Sequence, residues 1–220
     1  MKKEIEKSII LGFIISILVM VTGFVGQCED ISTRVFRLHI LANSDSREDQ
    51  ELKLKVRDKV IEYSGNIFDH VCNKGEAEWL INNNLNEIQK VAQQEVYNQG
   101  YSYEVKVEIK NMYFNTRHYD EVTLPAGRYD AVRISIGEAK GKNWWCVMFP
   151  PMCLPVAEEK QELSEVLNDT QIDIVTNANE LEYEVGFRFV EVYEEIIDFV
   201  CNVFDSIIDC LSNIFENEDL

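Results

Sequence analysis

The chain is poor in positive charge: 21 Lys and Arg stand against 39 Asp and Glu, a formal net charge of −18. That balance argues against nucleic acid, whose recognition rests on basic side chains neutralising phosphates, and it disfavours docking onto anionic lipid surfaces. Glycine (10) and proline (4) are scarce in 220 residues, so most of the chain should fold. The three histidines, His39, His70 and His118, lie far apart, and no C-x-x-C occurs. Neither zinc nor another metal is expected. No nucleotide motif is present, and no cofactor or small-molecule ligand is expected.

One long hydrophobic run is present. Ser8 to Gly26 carries no charge and follows Lys2, Lys3 and Lys7. It is about as long as a bilayer crossing requires, roughly 20 residues. No small-x-small cleavage site follows, and Gln27 before Cys28 does not fit a lipoprotein signal, so an uncleaved anchor is favoured over a cleaved signal peptide. The basic amino end places residues 28 onward outside the cytoplasm. The chain then divides into a signal anchor or signal peptide (1–27), an α+β domain (28–155), an acidic linker (156–185) and a C-terminal amphipathic helix (186–220).

Within 28–155, Thr33 to Leu41 reads as a first strand. Asn43, Ser44, Asp45 and Ser46 are turn and capping residues, and Ser46 with Asp49 has the spacing of a capping box. The periodicity predicts a helix from Glu48 to Tyr63, with Leu52, Val56, Val60 and Tyr63 inward and Lys53, Arg57 and Lys59 in water, ended by Gly65. A second helix, Glu76 to Asn98, buries Ala77, Ile81, Leu85, Ile88, Ala92 and Val96. Tyr101 to Lys110 alternates as a half-buried strand, and Glu121 to Leu124 is a possible short one. Arg128 to Ile136 and Trp144 to Phe149 read as two strands of a hairpin, joined by a loop in which Gly137 and Gly141 supply positive φ. Pro150 and Pro151 stop the second strand. The expected fold is therefore α+β: a small antiparallel or mixed sheet with two helices on one face.

Beyond the linker, in which a short helix is expected near Lys160 to Leu167, Tyr193, Ile197, Val200, Phe204, Ile207, Leu211 and Ile214 repeat as heptads. Residues 180–220 hold twelve acidic side chains and one basic, Arg188. Such a helix repels its own copy, so it either docks on its own domain or meets a partner helix or a membrane.

Trp144 and Trp145, adjacent on one strand, must point to opposite faces, so at most one is core. The other is either covered by a helix or is a partner-binding anchor. Asn43, Asp45, Arg57, Lys142, Asn143, Trp144, Trp145, Pro150 and Pro151 are the candidate partner-binding residues, although Arg57 with Asp58 also fits a structural ion pair. Cys146 and Cys153 flank the Pro-Pro turn, close enough to be bridged outside the cytoplasm, the alternative being two buried thiols. Cys201 and Cys210 should fall on opposite sides of a helix and cannot pair with each other.

NSDSREDQELKLKVRD (Asn43 to Asp58) together with GRYDAVRISIGEAKGKNWWCVMFPPMC (Gly127 to Cys153) resembles the stage II sporulation protein R family of endospore-forming bacteria. The resemblance covers roughly Phe36 to Leu154 and returns at Gly186 to Glu191; the acidic helix after Val192 is longer than that family's pattern. It implies a signalling protein made in the forespore and exported into the septal intermembrane space. There it would contact the ectodomain of a membrane-embedded aspartic protease and trigger maturation of the mother-cell sigma factor, sigma-E. Two other readings compete with it. In one the chain is a cysteine-dependent hydrolase, with Cys146 as nucleophile, His39 or His118 as base, and Asn43 or Asp45 orienting it; in the other it is a coiled-coil structural protein.

Overall fold

The structure, a computed structural model, describes residues 2–65, 67, 68, 71, 73–119, 122–150, 163–178, 183–197, 199 and 200. His70, Pro151, Cys153, residues 156–162 and 179–182 of the expected linker, and residues 201–220 of the expected C-terminal helix with Cys201 and Cys210 lie outside these residues. The first element, α1 (Lys2–Arg34), takes in the uncharged run. It is long and apolar enough to cross a membrane, and its Ile9, Ile10, Leu11 and Phe13 are exposed. Thr33 and Arg34 close this helix rather than opening a strand: Thr33 Oγ1 donates to the Asp30 carbonyl at 2.7 Å, and Arg34 pairs with Asp30 one turn back at 3.0 Å.

After α1 come β1 (Phe36–Leu41), α2 (Arg47–Gly65), α3 (Lys74–Asn98), β2 (Val105–Phe114), β3 (Arg117–Tyr119), β4 (Val122–Leu124), β5 (Gly127–Ile136), β6 (Asn143–Phe149), α4 (Leu163–Val166) and α5 (Asp169–Thr176). Residues 183–197, here α6, are also helical. The fold is α+β with a mixed sheet. Two compact units are formed: Asp30–Met112 with Arg128–Ile172, and Met1–Glu29 with Tyr113–Gly127 and the described residues from Asp173 on.

In the first unit the sheet order is β2-β5-β1-β6. β1 runs parallel to β5 and antiparallel to β6, so it lies between the two strands that the sequence reads as a hairpin. The reason is the connection. Gly137 to Lys142 is too long for a tight hairpin turn and suits a crossing of roughly 10 Å over the end of one intervening strand. The loop is fastened to that end, with Lys140 N donating to Asn43 O (3.2 Å) and Gly141 N to Ala42 O (2.9 Å).

Phe36, Leu38 and Ile40 of β1, Val132 and Ile134 of β5, and Cys146 and Met148 of β6 share one buried cluster with Leu52, Val56 and Val60 of α2 and Ala77, Ile81, Ile88, Ala92 and Val96 of α3. Each such aliphatic side chain is worth about 1.5–3 kcal/mol on burial. β2 begins at Val105 and continues past Lys110 to Phe114, later than its alternation suggests. Its first amides are taken by α3, Val105 N bonding Gln93 Oε1 (2.8 Å) and Val107 N bonding Gln89 Oε1 (3.3 Å). Two glutamines thereby cap part of an edge strand that would otherwise offer free donors.

The acidic stretch after the prolines is not wholly a linker. Asn168 and Gln171 cap α5 reciprocally at 3.0 and 3.1 Å, and Gln171 also reaches Asp30 at 2.5 Å. Arg34 donates to the Val166 carbonyl, and Ile174 and Val175 are buried. α4 falls within the short helix expected near Lys160 to Leu167, whereas short apolar spacing inside a charged segment concealed α5.

Candidate partner-binding surface

The Asn43–Ser46 turn is held from several directions. Ser46 Oγ caps α2 by accepting from Asp49 N at 3.2 Å. The Ser46 amide, which a capping box would give to Asp49, donates instead to Ser44 Oγ at 3.2 Å, and the Asp49 carboxylate accepts from Asn43 Nδ2 (2.9 Å) and Ser44 Oγ (2.5 Å). Burial alone would raise the Asp49 pKa, but hydrogen bonds from Ser44, Asn43, Tyr103 and Ser46 hold it below the ordinary carboxylate value.

The same turn grips the β5–β6 loop. Asn43 Oδ1 accepts from Glu138 N at 3.0 Å and Asp45 Oδ1 from Lys142 N at 2.7 Å. Two glycines allow this approach for different reasons. Gly137 has φ +58°, and a Cβ there would also sit 2.3 Å from Asn43 Oδ1; a Cβ on Gly141 would sit 2.1 Å from the Ser44 carbonyl oxygen. Gly141 is thus required for space and not for positive φ. Lys53, which its helical position puts in water, is buried instead: its ammonium donates to Gln50 Oε1 (2.7 Å) and to the Lys142 carbonyl (2.9 Å). Desolvation, partly offset by Asp45, lowers its pKa. Asn43 and Asp45 therefore frame the loop, and Lys142 and Asn143 stand exposed on it.

Trp144 and Trp145 do point to opposite faces, but both are half-buried and neither is a full core residue. Trp144 leans on the α2–α3 cluster, with the Arg57 guanidinium 4.3 Å from its ring centroid. Arg57 covers the Trp144 ring and also pairs with Asp58 at 2.6 Å. Trp145 stacks on His39, ring centroids 3.9 Å apart and planes 2° from parallel. His39 is buried, and desolvation, with Arg133 and Arg37 nearby, lowers its pKa to about 4 despite a bond to Asn143, so it is neutral at physiological pH. Beneath it Arg37, fully buried, lies 4.8 Å from the Tyr129 ring centroid.

Cys146 is 3% exposed, lies on the α2–α3 face opposite Leu38, and is disulfide-bonded. His39 pairs opposite Trp145 and so projects from the other face. The Cys146–His39 dyad of the hydrolase reading is not assembled. Cys28 is the free cysteine among the described residues and is buried. Pro150 is buried and contributes packing. Among the described residues no group of three His, Cys, Asp or Glu is placed to hold a metal.

Several residues escaped the sequence reading. Lys53 is expected in water and Arg37 is read only as part of the first strand, because charge alone does not reveal a hydrogen-bonded burial. Trp79, 64% exposed on α3, lies outside that helix's apolar stripe, and that mismatch was its available signal.

In the second unit β3 and β4 form an antiparallel ladder, His118 Nδ1 lying 2.8 Å from Thr123 Oγ1. A cleft of about 330 Å³ is lined by Thr116, His118, Ala178, Glu184, Phe187, Arg188 and Glu191.

Comparison with known proteins places this geometry in context. The profile of the stage II sporulation protein R family matches residues 32–183. The stage II sporulation protein R of Bacillus subtilis (strain 168) is 37% identical over 123 residues, 56% of this chain and 55% of that protein. The alignment thus spans about half the length of the curated relative. No solved structure matches.

Proposed function

Because the chain belongs to the stage II sporulation protein R family, and is on that ground a sporulation signalling protein, we propose that it acts outside the cytoplasm by switching on a partner enzyme. In this reading it is exported from the forespore into the septal intermembrane space and held there by α1. It contacts the ectodomain of a membrane-embedded aspartic protease, and the activated protease matures the sigma-E precursor. The chain itself performs no catalysis. The observation that carries the reading is the family match, which takes in the whole four-stranded sheet with the Asn43–Ser46 turn and the loop ending in Trp144 and Trp145.

The physical chemistry suits a contact surface. Trp145 is held flat against a neutral imidazole on a sheet whose adjoining loop is pinned by side-chain bonds, so little conformational entropy remains to be lost on binding. Cys146 and Cys153 are proposed to share the disulfide that Cys146 carries, closing the chain behind β6. Cells co-expressing the chain, the protease and its precursor substrate provide the test. Precursor cleavage should occur with the parent and fail with Trp145→Ala while the variant stays exported and abundant. Cleavage by Trp145→Ala at the parental rate would move the contact elsewhere, and no cleavage with the parent would reject protease activation.

A further inference from the structure

α6 is apolar on two sides. Its inner side buries Phe187 and Val190 (5% and 1% exposed), with Phe24 of α1 meeting Phe187 edge-on at 5.7 Å and stacking on Tyr183 at 6.3 Å. The other side carries Val185, Phe189, Val192, Tyr193 and Ile196, all at least 43% exposed. At about 100° per residue these fall in one arc roughly 100° wide, away from the buried side. A helix covered only on its inner side would present polar residues there. Glu184, Glu191 and Glu195 run along one flank of the stripe, with Arg188 pairing Glu191 at 3.1 Å. That flank opens onto the cleft of about 330 Å³ that Glu184, Glu191, His118 and Thr116 help to line. Thr116 Oγ1 is buried there with no hydrogen-bond partner.

Charge selects the occupant. Residues 201–220 add Asp205, Asp209, Glu216, Glu218 and Asp219 and no basic residue, so that segment repels the flank. A second copy brings an equally acidic flank, and anionic headgroups are repelled likewise. We propose that the outer side of α6 docks a basic amphipathic helix of a partner protein, its apolar face on the stripe and its Lys or Arg side chains along Glu184, Glu191 and Glu195, one of them entering the cleft beside Thr116 and His118. The proposal goes beyond the Trp145 surface and does not depend on it.

The test uses the full chain in zwitterionic nanodiscs and, as probe, a fluorescent 18-residue Leu/Lys peptide with Leu at helical spacing. The peptide should bind, protect residues 189–197 from hydrogen exchange, and bind less as salt rises. Phe189→Ser with Ile196→Ser should weaken it at least about tenfold, and Glu184→Gln with Glu195→Gln about threefold or more with a flatter salt dependence. Phe189 and Ile196 lie on the outer side and Glu184 and Glu195 on its flank, all four exposed, and thermal melts identical to the parent will show that the fold is intact. The proposal is overturned if a Leu/Glu peptide binds as well, or if the serine variants bind like the parent. It is equally overturned if the stripe is already protected without peptide, by self-association, by residues 201–220 or by lipid alone.

Discussion

The two faces of the four-stranded sheet are built from alternate residues of the same strands, yet they follow different chemistry. On one face Leu38, Ile40, Val132, Ile134 and Cys146 meet two amphipathic helices and form an ordinary apolar core. On the other, Arg37, His39, Tyr129, Arg133 and Trp145 put cations and aromatic rings where a two-layer domain would need only solvated side chains. Burying Arg37 and His39 costs desolvation that apolar residues would avoid. The first face makes the fold, and the second carries the surface proposed for partner contact.

The comparison implies unequal sensitivity. The largest loss should come from the helix-covered face: Ile134, 0% exposed, replaced by Ala should cost about 2–5 kcal/mol in urea melts, as large core truncations do. A cost near zero would mean that this face is not the core.

The opposite face should announce itself through pH. His39 has a folded pKa of about 4 against an ordinary 6.5, so between these values the unfolded chain binds a proton that the folded one does not. Stability from this residue is complete above pH 6.5 and declines as pH falls toward 4, by about 3 kcal/mol at most. His39→Phe keeps a ring against Trp145 and removes the titrating nitrogens, so its melts should be flat over that window. Asp49 and Asp130, whose pKa values are lowered, act in a separate window: their contribution is present above the ordinary 3.8 and is lost as pH falls through the lower folded values. A variant that retains the parental slope between pH 4 and 6.5 would remove His39 as its source.

The turn that supports the second face should be next in sensitivity. Gly141→Ala places a methyl group 2.1 Å from the Ser44 carbonyl oxygen, a backbone atom that cannot step aside cheaply. A cost of about 1–3 kcal/mol is expected from such overpacking, with loss of exchange protection at the Lys142 amide. An unchanged melt would mean that the turn and the loop are not clamped.

How much of this was legible follows the same division. The α2 and α3 stripes, Leu52, Val56 and Val60 with Ala77, Ile81 and Ile88, were readable because one-sided burial imposes a helical period. Strand order was not, because the sequence of β5 and β6 is compatible with direct pairing, and only the length of Gly137 to Lys142 hinted that β1 intervenes. The candidate residues were partly legible. Asn43 and Asp45 were found by turn chemistry, but their bonds to the amides of Glu138 and Lys142 link positions almost a hundred residues apart. Lys53 and Arg37 went unread because their burial depends on acceptors and rings supplied by other strands.

The smallest effect on folding should accompany the largest effect on signalling. Trp145 is half-buried, and its principal neighbour is the His39 ring, a stack worth about 0.5–1.5 kcal/mol. Trp145→Ala should therefore melt within about 1.5 kcal/mol of the parent. Trp144→Ala should lose more, because Trp144 packs on the core and carries Arg57. In cells the order should reverse: Trp144→Ala, where it still folds, keeps precursor cleavage, and Trp145→Ala abolishes it. Measuring melts and cleavage on the same two variants separates a stability defect from a lost contact. If both variants lose cleavage only in proportion to lost stability, neither tryptophan is an anchor. The outer side of α6 then becomes the surface to test by the same pair of measurements.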